Sequence, residues 1–151
     1  LSQLHSLVLA GPFDEDSLSR SLSTLTGLKL LAVINNDMLL QLPSELLSLS
    51  SLISLDLLCC SQLQVLPRDL GRLQGLKTLN LQGCQQLEYL PKSLCDLRAL
   101  CALNLSGCSR LERLPNEMVC LTALDTLNVF GCTSLIGLPP ELHPIRHLRG
   151  V

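Results

Sequence analysis

At 151 residues, 47% of them hydrophobic, the chain is of a size for one ordinary domain and has ample material for a core. Its formal net charge is -2, with lysines and arginines scattered among the acids. That leaves no basic stripe to neutralise phosphates and argues against nucleic acid or an anionic membrane as partner. No apolar run approaches the roughly 20 residues that span a bilayer, and the stretch from Leu1 to Gly11 lacks a charged region followed by a cleavage site.

Aromatic residues make up only 2% of the chain, with Phe13, Tyr89 and Phe130 the whole set, so the apolar content is overwhelmingly leucine. Set against itself at an offset of 24, the sequence aligns without gaps. The first unit keeps Leu4, Leu7, Leu9, Leu18, Leu22 and Leu25. It is the least regular, with Pro12 and Glu15 where later units carry a cysteine or asparagine and an apolar residue. The second runs Leu28, Leu31, Val33, Asn36, Leu39, Leu42, Pro43, Leu46, Leu49, and the third Leu52, Leu55, Leu57, Cys60, Leu63, Leu66, Pro67, Leu70, Leu73. The fourth repeats it as Leu76, Leu79, Leu81, Cys84, Leu87, Leu90, Pro91, Leu94, Leu97, and the fifth as Leu100, Leu103, Leu105, Cys108, Leu111, Leu114, Pro115, Met118, Leu121. Leu124, Leu127, Val129, Cys132, Leu135, Leu138, Pro139, Leu142 and Ile145 complete the set.

Each unit alternates leucine with other residues, as in Thr78-Leu79-Asn80-Leu81-Gln82, which predicts a strand with one face buried and one open. The Leu-Pro step and the leucines beyond it predict a tight bend and then short, partly 3-10 helical turns. The pattern L-x-x-L-x-L-x-x-C/N resembles the leucine-rich repeat, which implies an α/β solenoid, a horseshoe arc of about six repeats. Six parallel strands would line its concave face, with 3-10 or helical turns on the convex one. Residues 1–151 are read as a single domain. Leu1 and Leu4 begin in phase and Val151 stands 24 after Leu127, so both ends are expected to expose core without polar caps. The chain is therefore read as a segment of a longer solenoid, open to end-to-end self-association.

Eight cysteines invite a disulfide framework, but Cys60, Cys84, Cys108 and Cys132 share one repeat position with Asn36. There the side chain is expected to turn inward and donate to loop carbonyls, a structural ladder of free thiols suited to a reducing, cytoplasmic compartment. Oxidation could still bring adjacent rungs to disulfide distance, since strands lie about 4.8 Å apart. Cys59, Cys95, Cys101 and Cys120 follow no C-x-x-C spacing. His143 and His147 are four apart but separated by Pro144, and read as exposed convex residues rather than metal ligands. Gly71 and Gly75 lack the lysine and hydroxyl of a phosphate loop, and no nucleophile motif is present, so no catalytic, cofactor or metal role is assigned and no enzyme is expected. Asn104-Leu105-Ser106 matches a glycosylation acceptor by virtue of the strand pattern alone.

The strings Leu-Asn-Leu-Gln-Gly-Cys-Gln-Gln-Leu-Glu-Tyr-Leu-Pro (79–91) and Leu-Asn-Leu-Ser-Gly-Cys-Ser-Arg-Leu-Glu-Arg-Leu-Pro (103–115) resemble the cysteine-containing repeats of plant intracellular nucleotide-binding leucine-rich-repeat immune receptors. Their C-x-x-L-x-x-L-P cue implies a cytosolic protein. The uniform period departs from the irregular spacing of those receptors, and nothing resembles their nucleotide-binding domain. The resemblance therefore implies a recognition or autoinhibitory role and no nucleotide switch.

The residues between the strand leucines are expected to form the partner surface: Leu30, Ile34, Asp56, Leu58, Thr78, Asn80, Gln82, Asn104, Ser106, Asn128 and Phe130. Its first half is apolar, with Leu30, Ile34 and Leu58 expected as an exposed patch awaiting a protein or an adjacent domain of the same chain. Asn80, Asn104 and Asn128 share a register and are expected to bond one another or a partner's backbone. Such a face suits a protein partner, on the order of 800 Å² a side. A substrate-selecting segment of a larger kinase or ubiquitin ligase, and a passive spacer, are the alternatives.

Overall fold

The computed structural model describes residues 3–142 and 144–150; Leu1, His143 and Val151, on which some of the expectations fall, lie outside them. Parallel strands stack in strict chain order: β1 (Ser6–Ala10), β2 (Leu30–Ile34), β3 (Ser54–Asp56), β4 (Thr78–Asn80), β5 (Ala102–Asn104), β6 (Thr126–Asn128) and β7 (His147–Arg149). Leu7 pairs with Leu31, Leu31 with Leu55, Leu55 with Leu79, Leu79 with Leu103 and Leu103 with Leu127, so the 24-residue offset is the register of the sheet.

The expected six strands are seven among the described residues. The seventh comes early: Leu127 pairs with Leu148, 21 residues on, so Val151 is not its counterpart. The return segments show why. After each Leu-Pro, leucines recur every third residue, and Leu46, Leu49 and Leu52 each donate their N–H to the residue three before, at 3.1, 3.1 and 3.0 Å. Three residues per turn is the 3-10 period, so these leucines share one inward face. Such turns span Ser44–Ser48, Leu70–Arg72, Lys92–Asp96 and Asn116–Cys120. The last return segment drops one three-residue step: Leu142 bonds Pro139 as Met118 bonds Pro115, and the strand follows two steps later.

The first return segment differs in kind. Leu18 and Leu22 are four apart, the spacing of an α-helix, and α1 (Glu15–Leu22) buries both. Asp14 caps it, accepting from the Ser17 backbone at 2.9 Å, and these hydrogen bonds lower its carboxyl pKa. Glu15 and Asp16 sit in the first turn and Arg20 in the last, each on the side the helix dipole favours.

The core is a continuous column of leucines with Val33, Val129, Met118 and the ladder cysteines between them. Leu31, Leu55, Leu79, Leu103 and Leu127 are 0–1% exposed. Each such side chain contributes about 1.5–3 kcal/mol by leaving water, and only stacking of neighbouring repeats lets it do so.

Candidate interaction surface

Beneath the open sheet face runs a ladder of side-chain hydrogen bonds. Cys60, Cys84, Cys108 and Cys132 donate their thiols to the carbonyls of Val33, Leu57, Leu81 and Leu105 at 3.2, 3.4, 3.1 and 3.0 Å. Asn36 has no exposure; its amide donates to Phe13 O at 2.9 Å and its oxygen accepts from the Met38 and Leu39 backbone at 2.9 and 3.1 Å. All eight cysteines are free. Burial pushes the Cys60 thiol up to about 11 and the Cys108 thiol to about 12, and raises those of Cys84 and Cys132 as well. A neutral thiol donates; a thiolate would not.

The residue before each rung adopts the left-handed conformation: Asn35, Cys59, Gly83, Gly107 and Gly131 have φ of 54, 57, 77, 74 and 74°. Glycine meets this without a Cβ penalty, whereas Cys59 and Asn35 are strained.

On the outer face the strands end sooner than the alternation predicts. Asp56, Asn80, Asn104 and Asn128 each accept, through the side-chain oxygen, the N–H of the residue two further on, at 3.0, 3.1, 3.1 and 3.0 Å. That bond turns the donor out of the ladder, so β3 to β6 have three residues. Val8 and Ala32 hold the same register in β1 and β2 and offer no acceptor, and those strands run five. Leu58, Gln82, Ser106 and Phe130 therefore lie beyond the strand ends.

The expected bonding among the asparagines is not what forms. The Asn80 amide donates to Asp56 at 2.8 Å and the Asn104 amide to Gln82 at 3.1 Å, while Thr78 donates to Ser54 at 2.8 Å. Strand-end carboxylate and amide oxygens are nearer in this geometry than a second asparagine. The expected exposed patch is also corrected: Leu30, Ile34 and Leu58 are only half-buried rather than open, and Ala32 is 7% exposed, because closely spaced rungs shield one another. The open apolar side chains of the face are Val8 at one end, 59% exposed, and Phe130 towards the other, 70% exposed.

Thr78, Asn80, Ala102, Asn104, Thr126 and Asn128 instead line a hollow of about 320 Å³, which His147 and Arg149 close at the β7 end. His147 thus lies on the sheet face, not on the convex return segment, because the last return segment is short. Its imidazole is 3.9 Å from the Asp125 carboxylate, which Arg146 also approaches at 3.5 Å. Sequence reading placed His147 on the convex side and did not single out Arg149; Leu148 as a strand leucine was the available signal. Among the described residues no three metal-ligating side chains converge, and no helix is long and apolar enough to cross a membrane.

No known family profile matches the chain, and no curated protein does. Solved structures do. A plant peptide hormone receptor, RGFR1 in complex with RGF2, aligns at 23% identity and a TM-score of 0.53, covering 91% of this chain. The chain spans only 28% of that receptor. The leucine-rich-repeat domain of the type III effector XCV3220 (XopL) aligns at 22% identity and a TM-score of 0.50, covering 95% of this chain and 68% of that one. The chain has the leucine-rich-repeat fold.

Proposed function

We propose that the chain is the recognition module of a cytosolic receptor or scaffold, without catalytic activity of its own, and that it captures a partner protein on the sheet face at the β4–β7 end. The observation that carries this reading is the hollow itself: amides, hydroxyls, His147 and Arg149 converge there, and Phe130 stands open two residues beyond Asn128. None of these side chains is required by the core. An exposed aromatic beside an arginine is the composition of interface hot spots. The half-buried apolar rungs of β2 and β3 extend the contact. Both named neighbours suit this reading: one is a receptor that binds a peptide, the other an effector's repeat domain. Free, neutral cysteines suit a reducing compartment, and the cysteine-bearing repeats suit an intracellular receptor of the plant immune type.

Cross-linking from the β7 end, followed by mass spectrometry, tests this. Phe130→Ala and Arg149→Glu are expected to abolish a cross-linked partner while leaving unfolding unchanged within about 0.5 kcal/mol. A partner retained at full yield in both variants would remove the sheet face from consideration.

A further inference from the structure

A second surface lies on the flank, where the chain leaves the ladder and turns into the Leu-Pro bend. Three hollows, of about 530, 320 and 310 Å³, join end to end there: the first two share Tyr89 and Lys92, the second and third Arg113 and Asn116. Backbone bridges between Gln41 and Val65 and between Tyr89 and Arg113 keep the floor in register, so it is a continuous trough. Five rungs about 4.8 Å apart give a length near 19 Å, the reach of about six extended residues.

Its chemistry departs from that of the whole chain. Acids outnumber bases overall, 13 to 11, yet the trough is lined by Arg68, Lys92 and Arg113 against one acid, Glu117. Lys92 meets Glu117 at 3.6 Å with both side chains at least half exposed, a weak pair that a ligand can displace. Glu88, the neighbour of Tyr89, is drawn away to Arg110 at 2.6 Å. Arg68 and Arg113 have no ion-pair partner among the described residues. Tyr89, 55% exposed, stands between the cations and offers the apolar wall.

We propose that this trough is a second binding site and takes an extended acidic peptide segment of a protein partner. Tyr89 packs against an apolar side chain of the peptide, and Arg68, Lys92 and Arg113 hold its carboxylates. The short trough, with its acids close by, suits a few carboxylates rather than the continuous charge of a nucleic acid.

The test is fluorescence anisotropy on the whole chain with a labelled peptide of alternating glutamate and leucine, its glutamine counterpart, and a labelled oligouridylate. The acidic peptide is expected to bind and to weaken with salt. Arg68→Glu with Arg113→Glu should cost about tenfold or more in Kd, and the glutamine peptide should be weaker by a similar factor. Tyr89→Ala is expected to weaken binding several-fold, and Glu117→Gln to strengthen it by freeing Lys92. Phe130→Ala, on the sheet face, should leave it unchanged, which separates this site from the one proposed above. No binding, equal binding of the glutamine peptide, tighter binding of the oligouridylate, or loss through Phe130→Ala alone would each overturn the proposal.

Discussion

The two faces of the same strands obey different rules. Inward, Leu55, Leu79 and Leu103 are equivalent, buried and repeated because each must fill the same space between identical neighbours. Outward, the residues beside them run Ser54 and Asp56, Thr78 and Asn80, Ala102 and Asn104, so neighbouring rungs present different sets. Stacking demands repetition only of what it buries. Variation on the other side is therefore free to specify a partner, and the trough on the flank, with Val65, Tyr89 and Arg113 at one repeat position, shows the same freedom.

The largest effect expected from this contrast is at the core. Leu79→Ala should lose about 2–5 kcal/mol in urea unfolding, whereas the adjacent Thr78→Ala should stay near 0.5 kcal/mol. Equal costs would break the distinction between the faces. Next is the ladder: Cys84→Ala removes the thiol donor from the Leu57 carbonyl, which keeps the Cys60 N–H, and should cost about 1 kcal/mol, while Cys84→Ser restores a donor and recovers part of it.

The ladder also sets a pH limit. Thiols of the unfolded chain ionise around the ordinary value of 9.0, while the folded Cys60 and Cys108 hold their protons to about 11 and 12. The unfolded state thus binds fewer protons above pH 9, so stability is full below that pH and falls as pH rises through 9 towards 12. Denaturation midpoints measured across that range should decline, and less steeply once Cys60 and Cys108 are serine.

Smaller effects sharpen the turn between the faces. Gly83→Ala forces a side chain into the left-handed region, where its Cβ would lie 3.1 Å from Cys59 Sγ, and should cost about 1–2 kcal/mol. Cys59→Gly at the same repeat position should stabilise by about 0.5–1 kcal/mol, read from the thermal midpoint. Smallest is Asn104→Ala, which frees the Ser106 N–H at a partly exposed site and should cost about 1 kcal/mol or less. Amide exchange at Ser106 should then quicken; unchanged exchange would mean that the asparagine does not end the strand.

The repeat was legible because its signal is local and periodic: leucine positions named the buried face, and a recurring Leu-Pro named the bend. The 3-10 turns were legible from leucines three apart, and α1 from the four-residue step between Leu18 and Leu22, although only the turns are anticipated by the reading of the regular units. Gly83, Gly107 and Gly131 recur at the same interval, a signal of the left-handed turn that the reading of the repeat did not use.

The sequence by itself determined the parallel register, the identity of the core and the solenoid architecture, since a 24-residue repeat of leucines has one way to bury them against its own copies. Only the tertiary structure decided where β7 begins, because the last return segment is one three-residue step shorter than the others and brings Leu148 level with Leu127. It likewise decided that Leu30, Ile34 and Leu58 are half-buried and that the Asn80 and Asn104 amides reach Asp56 and Gln82 of the preceding repeat. It brought His147 and Arg149 to the hollow. These depend on distances across the stack, between side chains that are remote in sequence and subject to no periodic rule.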